Sequence, residues 1–370
     1  MAGQVFFNNG INVASGGSTL LNGLITAIVN ETDIQEEYAN MKEKLAFVDE
    51  KALSIDQQFS SVAGPLEVDP INENGVKPEG ERTKLPNKGF EIREYGEKLT
   101  TSFLMGEWLK TSKTLEGADS SVKQEWMTIA RDGKYLIEAV AMRVCIDMLQ
   151  VYTKGFGAPS SVHGAGSPTP KGLPLFSVNH TSRQGSIVWR NMGQAANLNA
   201  PFSATALQDA LDVHKNVIKA ENGYKVRRPG VYDLIVSPFE EVNARKVLNE
   251  NQSGETSQYS GVGNNANQMN QFTFRGNKVN LVVVEMLGDL DKHGNKIGNE
   301  KMWFVRNTDL IKKTRALKMI ELYKPKMQNY QNQDTDAYIV DIRAGYACDH
   351  YGAEYGLVGS KGDNDNAYAD

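Results

Sequence analysis

Residues 301–326 read KMWFVRNTDLIKKTRALKMIELYKPK. After a Gln/Asn-rich turn from Gln328 to Asp336, the chain resumes at 337–360 as AYIVDIRAGYACDHYGAEYGLVGS. Three strand-like runs carry Arg and Tyr on alternate positions, the period expected of strands with one face buried. No catalytic constellation accompanies them.

Upstream lies SSVKQEWMTIARDGKYLIEAVAMRVCIDMLQVYTKG, 120–155. Trp126, Ile129, Leu136, Val140, Val144 and Met148 recur at three- and four-residue steps, which predicts one long helix over 120–153. About thirty residues at 1.5 Å each give roughly 45–50 Å, a spine onto which a broad sheet packs. Gly133 weakens this helix and Gly155 is expected to stop it. Arg143 and Asp147, one turn apart, should face outward or toward a neighbouring element.

Residues 1–19 are rich in Gly, Asn and Ser, and a helix is expected near Ser18 and Thr19. A second helix is predicted from the Asn30–Asp33 cluster through Leu53, with Ile34, Tyr38, Met41, Leu45 and Val48 at helical spacing. Residues 56–89 are dense in breakers (Gly64-Pro65, Asp69-Pro70, Asn74-Gly75, Pro78, Gly80, Pro86). Phe90 to Met105 then alternates and reads as a strand or two. The segment 64–110 thus looks like an extended arm, not a packed layer. Further on, the pattern predicts a helix at 203–221, a buried strand at 232–236 ending in Ser237-Pro238, a helix from Phe239, and a strand at 281–286. Together they suggest an α/β lobe from about 190 to 300. Trp303–Val305 is expected to begin a C-terminal sheet.

Composition limits the function classes. The 370 residues are 23% charged and 40% hydrophobic, enough to bury a core. A net charge of −5 argues against a protein that grips nucleic acid through a basic face. Of the two cysteines, Cys145 and Cys348, the first sits in the apolar face of the predicted helix and reads as a buried free thiol rather than half of a disulfide, which points to a reducing compartment. The N-terminus lacks the basic region of a signal peptide, and the apolar run 20–29 is too short to span a bilayer. A soluble protein, intracellular at synthesis, is expected.

Four collinear stretches resemble the major capsid (major head) proteins of tailed bacteriophages, nearest to the phage Mu type. They are the helix ending KGFG, then PLFSVNH (Pro174–His180), then DLIVSPFEEVNARKVLN, and last the C-terminal strands with Arg343 and Gly345. The resemblance implies an α+β chain of the Hong Kong 97-like (Johnson) fold. It would have an N-terminal arm (1–63), an extended loop (64–110) and a peripheral domain (111–190) holding the spine helix. An axial domain (191–300) and further peripheral strands with a tail (301–370) would follow. The implied partners are copies of itself in hexamers and pentamers, a separate scaffolding protein, a portal, decoration proteins, and packaged DNA touched non-specifically; no membrane is involved. The implied location is the virion, assembled in the host cytoplasm. A nanocompartment shell of the same fold is the alternative, and an α/β enzyme with no visible site is a third.

No catalytic residue, cofactor or metal is expected. Asp289-x-Asp291-x-His293-Gly294-Asn295 with Glu300 has calcium-loop spacing, but His293 and Lys296 sit poorly in it and the flanks read as strands. A polar hairpin is the favoured reading, with an ion site left open. His180 near Ser177 lacks a third partner, so a structural role is favoured. His163, His180, His214, His293 and His350 are scattered. Gly261-x-Gly263 lacks the third glycine of a dinucleotide loop. Cys348 and His350 flank Asp349 on a strand, and packing is the better account of them. The basic stretch 306–318 is expected to form a subunit-contact strand, with nucleic-acid contact the lesser reading.

Overall fold

The computed structural model describes residues 12–14, 34–52, 56–60, 87–101, 120–159, 164–181, 187–192, 199–220, 223, 225–226, 230–250, 271–291, 293–331 and 338–362. The architecture is α+β. It divides into two compact units, the first formed by Met1–Gln57, Glu91–Asp147 and Met319–Cys348, the second by Gln58–Phe90, Met148–Lys318 and Asp349–Asp370.

In the first unit, β1 (Asn12–Ala14), β12 (Leu317–Gln331), β13 (Tyr338–His350) and β5 (Arg93–Thr101) follow one another across a sheet. Strand β2 (Val48–Lys51) pairs with β12 off that path. β5 runs antiparallel to β13, with Arg343 opposite Gly96 and Tyr346 opposite Arg93. The expectation of an unpacked arm therefore does not extend to 93–101, which forms an edge of this sheet. Residues 61–86 lie outside the described residues.

Inward side chains of β13 (Ile342, Ala344, Tyr346) are buried, as are Leu136, Ile137, Val140 and Val144 of the long helix α2 (Ser120–Thr153). The buried stripe is the one expected from the sequence; the side chains of Trp126 and Ile129 lie outside the described residues.

The helix α1 (Ile34–Leu45) ends eight residues before the expected Leu53. Ala46 adopts φ 55°, and Phe47 N–H reaches back to the Lys42 carbonyl at 3.1 Å, a Schellman closure. Alanine in the glycine position hides this stop from a sequence reading. β2 follows at once, and Lys42 of the helix pairs with Asp49 of the strand.

The second unit centres on a sheet ordered β14 (Leu357–Ser360), β11 (Trp303–Asn307), β8 (Tyr232–Val236), β10 (Asn277–Val283), β9 (Gln271–Phe274). β8 is buried along its whole length, as a strand covered on both faces must be. On one face Tyr232, Leu234, Val236, Val279, Leu281, Trp303 and Val305 form a core with α3 (Ala204–Asp212) and α4 (Pro238–Glu250). On the other, Phe304 meets Tyr152, Phe156 and Phe176 at centroid distances of 5.4–5.9 Å. Ser237 accepts from Glu240 N–H at 3.3 Å and Pro238 opens the helix, so α4 starts where its Ser-Pro signal puts it.

Three readings are corrected here. Trp303–Val305 does not begin the C-terminal sheet; it is an inner strand of this second sheet, between β8 and β14. The helix expected over 203–221 is helical to Asp212, passes through one π turn (Val213–Val217) and becomes extended at Ile218. Gly155 is not a left-handed helix stop. A Cβ there would come within 3.0 Å of Leu175 and Phe176, so close packing explains the glycine.

Candidate functional site

The calcium-like loop folds as a hairpin. Leu290 bridges Lys296, Asp291 N–H donates to the Asn295 carbonyl at 2.7 Å, and Gly294 takes φ 79°. Asp291 Oδ1 accepts from the backbone N–H of His293 and Asn295 at 2.8 Å each. These bonds hold its carboxyl below the usual range, Asn295 foremost. The side chain at the third place of the calcium-loop spacing is thus engaged in the turn.

His180 is buried and stacks on Trp189 at 4.5 Å. Its Nε2 lies 3.0 Å from Asn191 Oδ1 and 3.3 Å from the Leu175 carbonyl. Burial pushes its pKa down to about 4. Ser177 Oγ meanwhile accepts from Asn179 N–H at 3.1 Å. Both residues serve the turn that PLFSVNH makes, and Asn191 ties it to the chain beyond by donating to the Leu175 carbonyl at 2.8 Å. His163, Gly261 and Gly263 lie outside the described residues. His214 is buried against the Val305 carbonyl at 3.1 Å, with its pKa lowered by burial to about 4.

The basic stretch 306–318 is not one strand. Asn307 caps a short helix, α5 (Thr308–Thr314), by accepting from Leu310 N–H at 3.0 Å, and Arg315 closes it at φ 51°. Arg306 is 1% exposed and its charge stays inside the unit. Its Nη2 lies 2.5 Å from Asp233 Oδ2 and its Nη1 3.4 Å from Tyr152 Oη, while Asn280 donates to Asp233 Oδ1 at 2.8 Å. Nucleic acid cannot reach this guanidinium. Lys312, Lys313 and Arg315 are exposed.

Sequence reasoning missed a buried polar cluster around Lys88. Lys88, in the breaker-rich segment, is 6% exposed. Its ammonium donates to Asp349 Oδ1 at 2.7 Å, Ser167 Oγ at 2.8 Å and the His350 carbonyl at 2.9 Å. Asp349 also accepts from Ser167 Oγ at 2.7 Å and from the N–H of Gly164 and His350 at 2.9 and 2.7 Å. A carboxylate with that many donors is held as an ion partner, not as a base. His350, lowered to about 3 by burial and then by Lys88, contacts the Ser167 carbonyl at 3.1 Å. Cys348 and Cys145 are both buried. The triplet Cys348-Asp349-His350 therefore contains a structural anchor, and only Asp349 and His350 belong to it.

In the first unit, Asp147 takes the second of the two expected orientations, toward a neighbouring element: it is 9% exposed, accepts from Tyr346 Oη of β13 at 2.9 Å and pairs with Arg143 at 2.7 Å. Burial raises its pKa against the pull of Arg143. Tyr95 stacks on Tyr346 at 4.7 Å and lies under Arg143.

Among the described residues, no group of three or more His, Cys, Asp or Glu side chains converges as a metal site, and no helix is long and apolar enough to cross a membrane.

No family model matches the chain, and no curated protein matches it. Solved structures do. A Mycobacterium phage Patience structure matches at 12% identity and a TM-score of 0.48, over 100% of this chain and 95% of that one. The capsid of a native GTA particle matches at 10% identity and 0.47, over 88% and 90%. The capsid of Cyanophage P-SCSP1u matches at 13% and 0.45, over 87% and 88%.

Proposed function

We propose that this chain is the major capsid protein of a tailed bacteriophage, a subunit that builds a closed shell around DNA. The observation that carries the reading is the use of its buried polar groups. Lys88–Asp349, Arg306–Asp233 and Asp147–Tyr346 each join distant stretches of chain. Groups spent in this way suit a building block and leave no paired acid and base among the described residues. The 34-residue helix α2, the strand–Ser–Pro–helix of 232–250 and the C-terminal strands supply the other support, in the order that the sequence resemblance requires.

The finer assignment to the Mu type rests on PLFSVNH and the motifs around it. The map of arm, extended loop, peripheral and axial domains belongs to the same proposal. So do the partners: like subunits in hexamers and pentamers, a scaffolding protein, a portal and decoration proteins. Assembly in the host cytoplasm and residence in the virion follow from it, as does the lack of catalytic activity. Multivalent contact between copies turns weak single contacts into a stable shell.

Negative-stain microscopy and sedimentation of the purified chain, alone and with its scaffold, test the reading. Capsomers or particles of tens of nanometres are expected. A chain that stays monomeric at high concentration, with or without scaffold, overturns it.

A further inference from the structure

At one end of the second unit the sheet gathers cations. Strand register puts Asn307, the end of β11, opposite Tyr232, the start of β8, and Tyr232 in turn opposite Val279 near the start of β10. The β9–β10 turn, the approach to β8 and the helix α5 therefore share this end. Neighbouring segments are tied to it: Thr308 N–H donates to the Val231 carbonyl at 3.1 Å, and Val226 N–H to the Ile218 carbonyl at 3.1 Å. Lys215 of the π turn donates to Asn277 Oδ1.

The exposed charge here is of one sign. α5 and its stop present Lys312, Lys313 and Arg315, and the β9–β10 hairpin presents Arg275 and Lys278. Lys215 and Lys225 are exposed on the segments tied to them. Against these seven cations, the described residues of 213–231, 274–279 and 307–316 expose a single carboxylate, Asp309, which accepts from Val231 N–H at 3.3 Å. The net charge of −5 belongs to the whole chain, and this end departs from it. Strands β11, β8, β10 and β9 lie side by side, so the cations spread over about 15 Å. A patch of one sign and this width draws a polyanion.

The kind of polyanion follows from what the patch lacks. A docking surface for protein carries apolar anchors at its centre. None of the exposed large apolar side chains among the described residues lies in these segments. Single-stranded nucleic acid is held by stacking on aromatic rings. The described residues of these segments expose none, since Phe274 and His214 are buried. The backbone of a duplex asks for charge alone, and offers one phosphate per about 1.7 Å of its axis.

We propose that this basic end of the second unit binds the phosphate backbone of double-stranded DNA without reading its sequence. The proposal rests on the capsid reading above and gives the enclosed DNA a defined contact on the subunit. Lys312, Lys313, Lys225 and Lys278 meet phosphates as point charges, each displacing a condensed counterion. Arg306, buried against Asp233, takes no part.

Fluorescence anisotropy of the full-length chain with a short labelled duplex, over a salt series and below the assembly concentration, tests it. Wild type is compared with Lys312→Gln/Lys313→Gln, with Lys225→Gln/Lys278→Gln and with Arg93→Gln/Arg131→Gln. The last pair lies in the first unit, with side chains 57% and 59% exposed, and removes the same charge from elsewhere. Circular dichroism verifies each fold. Each of the first two variants should weaken binding at least about tenfold and lower the slope of log affinity against log salt by about two. The third should keep the wild-type slope, and a duplex of unrelated sequence should bind equally well. An unchanged slope in the first two, an equal loss in the third, or tighter binding of polyglutamate than of duplex overturns the inference. Negative-stain microscopy of the wild type separates the two readings. Particles from a chain that does not bind duplex overturn this inference alone. A chain that binds duplex yet never assembles overturns the shell reading alone, and one that does neither overturns both.

Discussion

His214 illustrates how a single residue couples this fold to pH. Its ordinary pKa is 6.5, and burial lowers it to about 4 in the folded chain; His180 is likewise at about 4 and His350 at about 3. As pH falls through 6.5, the unfolded chain takes up protons that the folded second unit refuses until about 4. Stability contributed by these neutral rings is complete above 6.5 and is lost progressively toward pH 4. Urea titrations at pH 7, 6, 5 and 4.5 should show stability declining with a slope of up to about three protons. His214→Asn should reduce that slope by about one proton, whatever it does to stability at pH 7. An unchanged slope would mean that His214 titrates normally in the folded chain. The spacing of His214 with Leu207, Leu211 and Ile218 puts it on one helical face in the sequence, but no local pattern reports the Val305 carbonyl that its ring meets.

At the scale of elements, α2 is where sequence and structure agree most closely, because a long regular stripe leaves little choice of period. Val140 is 5% exposed and Val144 fully buried. Val140→Asp should cost several kcal/mol, out of a typical total of roughly 5–15 kcal/mol, and give insoluble protein. An outward-facing Arg143–Asp147 pair would contribute at most about 1 kcal/mol. With Asp147 buried against Tyr346, Asp147→Ala alone should now cost about 2–3 kcal/mol, read as a lowered denaturation midpoint, while Arg143→Ala should cost less. Equal tolerance of Val140→Asp and Asp147→Ala would mean that the stripe is not the buried face. Elements missed by the sequence share a cause. The stops after Leu45 and Thr314 use Ala46 and Arg315 in left-handed positions that glycine usually takes, so no glycine announced them. The β9–β10 hairpin turns on Arg275-Gly276, both at positive φ, just beyond the Gln/Asn-rich run 250–271. Lys88, set among prolines and charges, looked solvated, and its partners come from 79 and 261 residues away. Local pattern cannot report contacts of that range.

For the molecule as a whole, the capsid proposal ties the segment 64–110 to shell formation. Removing residues 69–86 should leave the circular dichroism of the isolated subunit nearly unchanged and abolish or distort the particles. Loss of the subunit's own fold on deletion would place that segment in a core. The boundary of the deletion matters, because Lys88 just beyond it belongs to the buried cluster with Asp349. That same pair sets a schedule on the ribosome. Lys88 must wait for 261 further residues before its carboxylate exists, and β14, which edges the second sheet, emerges later still. At about 5–20 residues per second, the ammonium stays solvated for tens of seconds of synthesis. The second unit is therefore sealed only once β14 has left the exit tunnel, so its fold cannot close while the first 360 residues are being made.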